Sequence, residues 1–158
     1  MSKVIPNENT WIGFATAVAN IHAPKASELA AAIDLTDYVI TINAATTGNT
    51  VPTPSLKTLF ETSVAGTAAA QFTADMYRDD EADVAWDLLP RGTKGFFFIS
   101  RFGGTGPANR PAIGQNVECW PVEVSSRAGG ALSSNTAQTF TLTCSVPKEP
   151  DEDALVAA

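Results

Sequence analysis

Positive charge is scarce in this chain. Ten Lys and Arg stand against seventeen Asp and Glu over 158 residues, a formal charge of −7. Gripping nucleic acid takes clustered cations that neutralise phosphates, so the balance argues against a DNA- or RNA-holding surface. Histidine occurs once, at His22. Any Ser/His/Asp or Cys/His site would have to use it, and no nucleophile-elbow or Cys-His signature goes with it. Cysteine occurs twice, at Cys119 and Cys144. Two are too few for a disulfide framework, and two ligands do not make a structural zinc site. They lie at comparable distances from the final turn, which would let them face each other across that hairpin if the register is right. In a reducing cytoplasm they are expected as two partly buried thiols. The start, MSKVIPNENTW, lacks an apolar signal core, and no later run approaches membrane-spanning length. The expectation is a protein made in a cytoplasm and not held in a membrane.

What is present points to a β-rich globule. Hydrophobic residues make up 44% and charged residues 17%, enough apolar material for one domain with a real core. Ala, Thr, Gly and Pro are plentiful, which favours strands and turns over a helical bundle. Thr10 to Ile21 reads as a strand that is apolar on both faces. Residues 25–33, KASELAAAI, fit a short helix with Ser27 as cap and Leu29, Ala32 and Ile33 on one face. Tyr38 to Asn43 reads as a strand. Ala44 to Ser55, AATTGNTVPTPS, is a long loop or the tip of an extended hairpin. Leu56 to Val64 then re-enters a strand, and Gly66-Thr67 forms a turn.

The most informative stretch is Gln71 to Phe102, which reads as strand, helix, strand. Phe72, Ala74 and Met76 alternate with Thr73, Asp75 and Tyr77. Asp80 stands where a helix cap belongs, with Asp83 three residues on. Ala82, Ala85, Trp86 and Leu89 form one stripe of a helix over about residues 80–89, which Pro90 and Gly92 stop. Phe96, Phe97, Phe98 and Ile99 form a strand with two apolar faces. Burying each large aromatic is worth roughly 1.5–3 kcal/mol. The run therefore predicts inter-subunit packing, because it offers more apolar surface than one small domain easily hides. Gly103 to Gln115 is a Gly/Pro loop. Val117–Ser125 and Thr139–Val146 are the last two strands, joined through Gly129-Gly130. The end, PKEPDEDALVAA, is acidic, and is expected to be mobile or ordered only against a neighbour. The fold class is mainly β, a β-sandwich or barrel of about seven strands with one flanking α-helix. Residues 1–24 would be an N-terminal arm and first strand, 25–146 the sandwich, and 147–158 a flexible acidic tail.

No motif supplies chemistry. The acids Asp75, Asp79, Asp80, Glu81 and Asp83 lack the spacing of a calcium loop and suit capping and the helix dipole. Gly92-Thr-Lys-Gly95 and Gly103-Gly-Thr-Gly106 lack the Gly-Lys-Ser/Thr ending of a phosphate loop and read as turns. Arg78, Arg101, Arg110 and Arg127 either pair with acids on neighbouring subunits or are solvated ends. No catalytic, cofactor-binding or metal-binding residues are assigned, and the chain is not expected to be an enzyme.

The order of three segments resembles a known family. Phe72-Thr-Ala-Asp-Met-Tyr-Arg-Asp-Asp80, then Trp86-Asp-Leu-Leu, then Arg91-Gly-Thr-Lys-Gly95 running into a strand that ends at Arg101 is similar to the major tail protein, or tail tube protein, of long-tailed bacteriophages, in the version common among phages of actinobacteria. Ser27-Glu-Leu29 and Asp34-Leu-Thr-Asp-Tyr38 also fit, so the resemblance covers roughly residues 25 to 146. It implies a structural virion protein, built in the host cytoplasm, that self-assembles into stacked hexameric rings. It implies a hollow tube that serves as conduit for DNA during ejection, without specific binding, and that contacts a tape-measure protein and tail-tip proteins. An acidic lumen would keep phosphates from sticking. By position, Ala44–Ser55 resembles the long loop that reaches the adjacent ring, which adds Val51, Pro52 and Thr53 to the expected inter-subunit contacts. The competing reading is a β-sandwich capsid decoration or carbohydrate-binding module, with Trp11, Trp86 and Trp120 as stacking platforms. A third is a hydrolase using His22 or the acidic cluster.

Overall fold

Antiparallel pairing organises the whole chain. The computed structural model describes residues 3, 5 and 9–158. Along them run β1 (Trp11–Ala15), α1 (Ala26–Ala31), β2 (Ile33–Asp34), β3 (Val39–Pro52), β4 (Ser63–Tyr77), α2 (Val84–Leu88), β5 (Lys94–Ser100), β6 (Asn116–Gly129), β7 (Thr139–Ser145) and β8 (Asp151–Leu155). The eight strands form one sheet in the order β2-β1-β5-β6-β7-β4-β3, with β8 also paired to β6. The mainly β expectation holds, with eight strands rather than about seven. The expected N-terminal arm falls partly on residues 1, 2, 4 and 6–8, outside the described residues, and the rest of residues 1–24 supplies β1. That strand ends at Ala15, well short of Ile21.

The sheet is folded around its own aromatic residues. Phe72 on β4 stacks on Phe97 of β5, with ring centroids 4.7 Å apart. Two strands separate β4 from β5. In a flat sheet they would lie about 14 Å apart, so the sheet curls until these rings meet. Phe97 also meets Phe14 edge-on at 5.1 Å, and Trp120 lies 6.2 Å from Phe72. Period-2 alternation sends Phe97 and Ile99 into this inner core, while Phe98 points the other way. There it joins a second cluster of Trp11, Leu29, Val117, Cys119, Ala154 and Val156.

That second cluster corrects the reading of Phe96–Ile99 as surface left uncovered. Phe97 and Phe98 are 0% exposed and Ile99 is 1% exposed. Helix α1 and the C-terminal strand supply the missing layer from within the same chain. Residues 147–158 are accordingly not a loose tail. Alternation puts Ala154 and Val156 inside, and Val117 pairs with Ala154. The acidic residues Glu152 and Asp153 stay exposed.

The helices are shorter than the sequence suggests, for local reasons. In α1 the cap is Lys25 rather than Ser27. The Glu28 carboxylate accepts the N–H of Lys25 at 2.9 Å and that of Ala19 at 3.0 Å, which ties the preceding segment to the helix. Ile33 leaves the helix for β2 and is exposed. Helix α2 begins after Asp83, not Asp80. Asp79 accepts the N–H of Glu81, and Asp83 is held by Arg78, so residues 79–83 close as a turn. Ala85 and Leu89 are fully buried as the stripe requires. The hairpin alternative for Ala44–Ser55 is the one the structure adopts, because β3 runs on to Pro52. The expected strand at Leu56–Val64 starts only at Ser63. Gly66 lies inside β4, not in a turn. A Cβ there would come within 3.2 Å of the Asn49 carbonyl, beside the register shift between Gly48 and Thr50.

The two cysteines sit on opposite faces of the sheet. Cys119 belongs to the outer cluster and Cys144 to the inner core. Cys119 is opposite Phe98, and Cys144 is opposite Phe72 and Val124, so they do not face each other across the last hairpin. The bulge between Val124 and Ser126 breaks the simple register. Burial pushes both thiols from the usual 9.0 up to about 12, and Asp151 and Glu28 add to the effect at Cys119. A thiol that keeps its proton when folded, at a pH where the unfolded thiol loses it, favours unfolding as pH rises. Its stabilising contribution is therefore intact below about pH 9 and lost between about pH 9 and 12. A thiol reagent at pH 8 labels neither cysteine in native protein and both in urea. Stability falls less steeply above pH 9 in the C119A/C144A variant than in the parent. A second expectation follows from burial. Phe97→Ala loses about 3–5 kcal/mol in urea unfolding, whereas Leu59→Ala stays within about 0.5 kcal/mol.

Candidate functional site

The unusual feature of the surface is a ribbon that leaves the body. Strands β3 and β4 pair from Val39↔Met76 to Pro52↔Ser63. At its base the ribbon is half-buried through Ile42, Ala44 and Ala70, which pack on the inner core. Beyond that, every residue from 46 to 69 is exposed. At about 3.4 Å per residue, the paired part from Thr46 to Pro52 projects about 20 Å, before the tip is added. Thr53 and Thr62 close the tip, with their hydroxyls 2.8 Å apart and the Thr53 N–H donating to the Thr62 carbonyl at 2.7 Å.

This arm is apolar where it is most exposed. Leu56 and Leu59 are fully exposed, Phe60 is 78% exposed, and Val51 and Val64 flank them across the ribbon. Lys57 and Glu61 are its only charged residues. An isolated two-stranded ribbon is marginal in water. The outer edge of β3 has no partner among the described residues. An exposed, charge-poor edge is a template for another chain. Of the residues expected at an interface, Val51, Pro52 and Thr53 lie on this arm, while Phe97, Phe98 and Ile99 are sealed in the body and Phe96 packs on the outer cluster. Sequence reasoning missed Leu56, Leu59 and Phe60. Their signal is an apolar LKTLF between prolines and threonines, a pattern that reads as a re-entering strand.

A second surface lies on the back of the inner core. One row of side chains runs Thr41–Asp75–Thr141–Ala128 across β3, β4, β7 and β6. The next runs Asn43–Thr73–Thr143–Ser126. Residues opposite each other in an antiparallel pair share a face, and none of these eight is buried. The Thr141 hydroxyl donates to the Asp75 carboxylate at 2.7 Å.

Three of the arginines singled out in the sequence are engaged inside the chain. Arg78 pairs with Asp83, and Arg101 with the buried carboxylate of Glu118, which also accepts the Trp120 indole N–H at 3.3 Å. The guanidiniums of Arg78 and Arg127 lie on the Trp86 ring, each 3.8 Å from its centre, and Trp86 meets Phe140 edge-on. Trp11 and Trp120 are buried, so the tryptophans do not form the stacking platforms of a sugar-binding surface. His22 sits at the surface, 2.6 Å from Asp151 at the start of β8. No helix among the described residues is long and apolar enough to cross a membrane.

Comparison with known proteins follows the same direction. A family model described as phage tail tube protein matches residues 1–158. Among solved structures, the chain is similar to one from the virion of a native gene transfer agent particle, with a TM-score of 0.58 and 11% identity, over 96% of this chain and 100% of that one. It is also similar to one from the tail of an empty gene transfer agent particle with C6 symmetry, with a TM-score of 0.57 and 13% identity, over 96% and 100%. At these identities the likeness is one of fold. No curated protein matches the chain.

Proposed function

The chain belongs to the phage tail tube protein family, and from that premise we propose that copies of it form hexameric rings that stack into the tube through which DNA leaves the particle. The family places it in the virion as a structural protein of the tail. The exposed apolar arm of residues 46–69 carries the proposal. Leu56, Leu59 and Phe60 leave water only against another molecule, and each large side chain gains roughly 1.5–3 kcal/mol by doing so. A sister copy is the partner on hand at every position of a repeating tube. The arm of one subunit lies on a subunit of the adjacent ring, where Val51, Pro52 and Thr53 make contact beside the tip. Phe96–Ile99 serve inside the protomer, holding the body from which the arm springs. A solved tail of like fold with C6 symmetry supports hexameric rings. The scarcity of Lys and Arg supports a passive conduit, since a wall that neutralised phosphates would hold the DNA. A tape-measure protein inside the growing tube and tail-tip proteins at its start are the further partners of this reading. Assembly takes place in the host cytoplasm.

The test is a variant with Leu56→Asp, Leu59→Asp and Phe60→Asp. All three positions are exposed, so its circular dichroism and urea midpoint match the parent, within about 0.5 kcal/mol per site. The parent, nucleated by a tail tip, gives tubes with an axial hole in negative stain, and the variant gives none. Normal tubes from the variant would remove the arm from the assembly mechanism.

A further inference from the structure

We infer that the groove between the start of β3, the start of β1 and the end of β5 is the socket that receives the arm tip of a sister copy, with Lys57 beside Asp34 and Asp37 and Glu61 beside Arg101. The inference rests on the tube reading above and names the surface on which the arm lands.

The groove holds about 1160 Å³. That exceeds the roughly 300–1,000 Å³ of small-molecule sites and suits a segment of chain. Buried Ile12 and Ile99 line its depth, while Ile40 and Phe102 stand in water at 45% and 72% exposure. The molecule therefore leaves two sets of large apolar side chains uncovered, this one and the arm tip. Both are covered when one copy meets the next.

Charge complements the fit. Asp34 and Asp37 line the groove and are exposed, and the Asp34 carboxylate accepts the Thr36 N–H at 2.9 Å and its hydroxyl at 2.6 Å. The other charged lining residue is Arg101, half-exposed beside Glu118. The tip carries the opposite signs, Lys57 and Glu61, on either side of Leu59 and Phe60. Ion pairs this exposed add little affinity, but they fix the direction in which the segment lies. Leu56, Leu59 and Phe60 supply the affinity by leaving water.

A chain cannot fill its own groove. The groove uses Val39–Ile42 at the start of β3, whereas the tip lies beyond Pro52 at its other end. Paired strand from Ile42 to Pro52 holds the two about 30 Å apart. Tip and socket thus sit at opposite ends of the molecule, and joining them is a head-to-tail contact between unlike surfaces. Contacts of that kind do not stop at a dimer. Repeated from copy to copy, this one gives an open-ended stack with a single polarity.

The experiment is cross-linking in assembled tubes. The parent cysteines are buried and stay silent. Thr58→Cys puts a thiol on the tip and keeps Leu56, Leu59 and Phe60. Ala108→Cys puts one in the groove, and Ile40→Cys is a second acceptor there. Tip-variant and groove-variant proteins are mixed, nucleated by a tail tip and treated with a short bismaleimide. Linked dimers in these mixed tubes are expected to exceed by at least about tenfold those in tubes of either variant alone or in the unassembled mixture, because assembly raises the local concentration of the two thiols. Mixed tubes that stay unlinked with both acceptors would overturn the inference, and so would tubes of Thr58→Cys alone that link as strongly. Both results leave the tube reading intact. Failure of the parent itself to form tubes under a tail-tip nucleus would instead sink the tube reading, and this inference with it.

Discussion

The contact between Phe72 and Phe97 is the constraint from which the rest of this molecule follows. It joins strands that a flat sheet would keep apart, and it turns one antiparallel sheet into an enclosed core. Once β4 is fixed there, its apolar alternation runs out beyond Ala70 and no further burial is available. The β3–β4 ribbon must then continue into solvent. The arm and the core are thus two ends of one pair of strands, one held by aromatic packing and the other free to be completed by a second molecule.

The same curl explains why the surface divides by role. Strands β1, β5 and the start of β6 face the inner core on one side and take cover from α1 and β8 on the other, so this half of the body is closed to water. The half made by β3, β4 and β7 is covered once and presents hydroxyls on its other side. Charge follows the division. Arg78, Arg101 and Arg127 are engaged with Asp83, Glu118 and Trp86 inside the chain, which leaves the uncovered face almost uncharged.

Much of the body was legible because burial writes a period into the sequence. Phe72, Ala74 and Met76 alternate with polar residues and fix β4, and the run Phe96–Ile99 marks a strand buried on both sides. The arm was not legible as strand, since its Thr, Ala and Gly residues have no buried face and hence no alternation to read. Its tip misled for the opposite reason. Leu56, Leu59 and Phe60 carry the apolar signal of a core strand, and composition cannot distinguish a core from a neighbour's surface. The C-terminal strand was hidden by its acids, because only small residues, Ala154 and Val156, face inward. The positions of the cysteines depended on the bulge near Val124, which has no sequence mark.

On the tube reading, the β3–β4 arm is an unfinished element that a sister copy completes. Hydrogen exchange tests it most directly, because it reads local opening residue by residue. In unassembled protein, the amides of residues 46–69 should exchange fast while those of Phe72–Met76 and Phe97–Ile99 stay slow. In tubes, the arm amides should slow to the level of the body. Arm amides already as slow as the core in the lone protein, or unchanged on assembly, would show that no sister copy completes the arm.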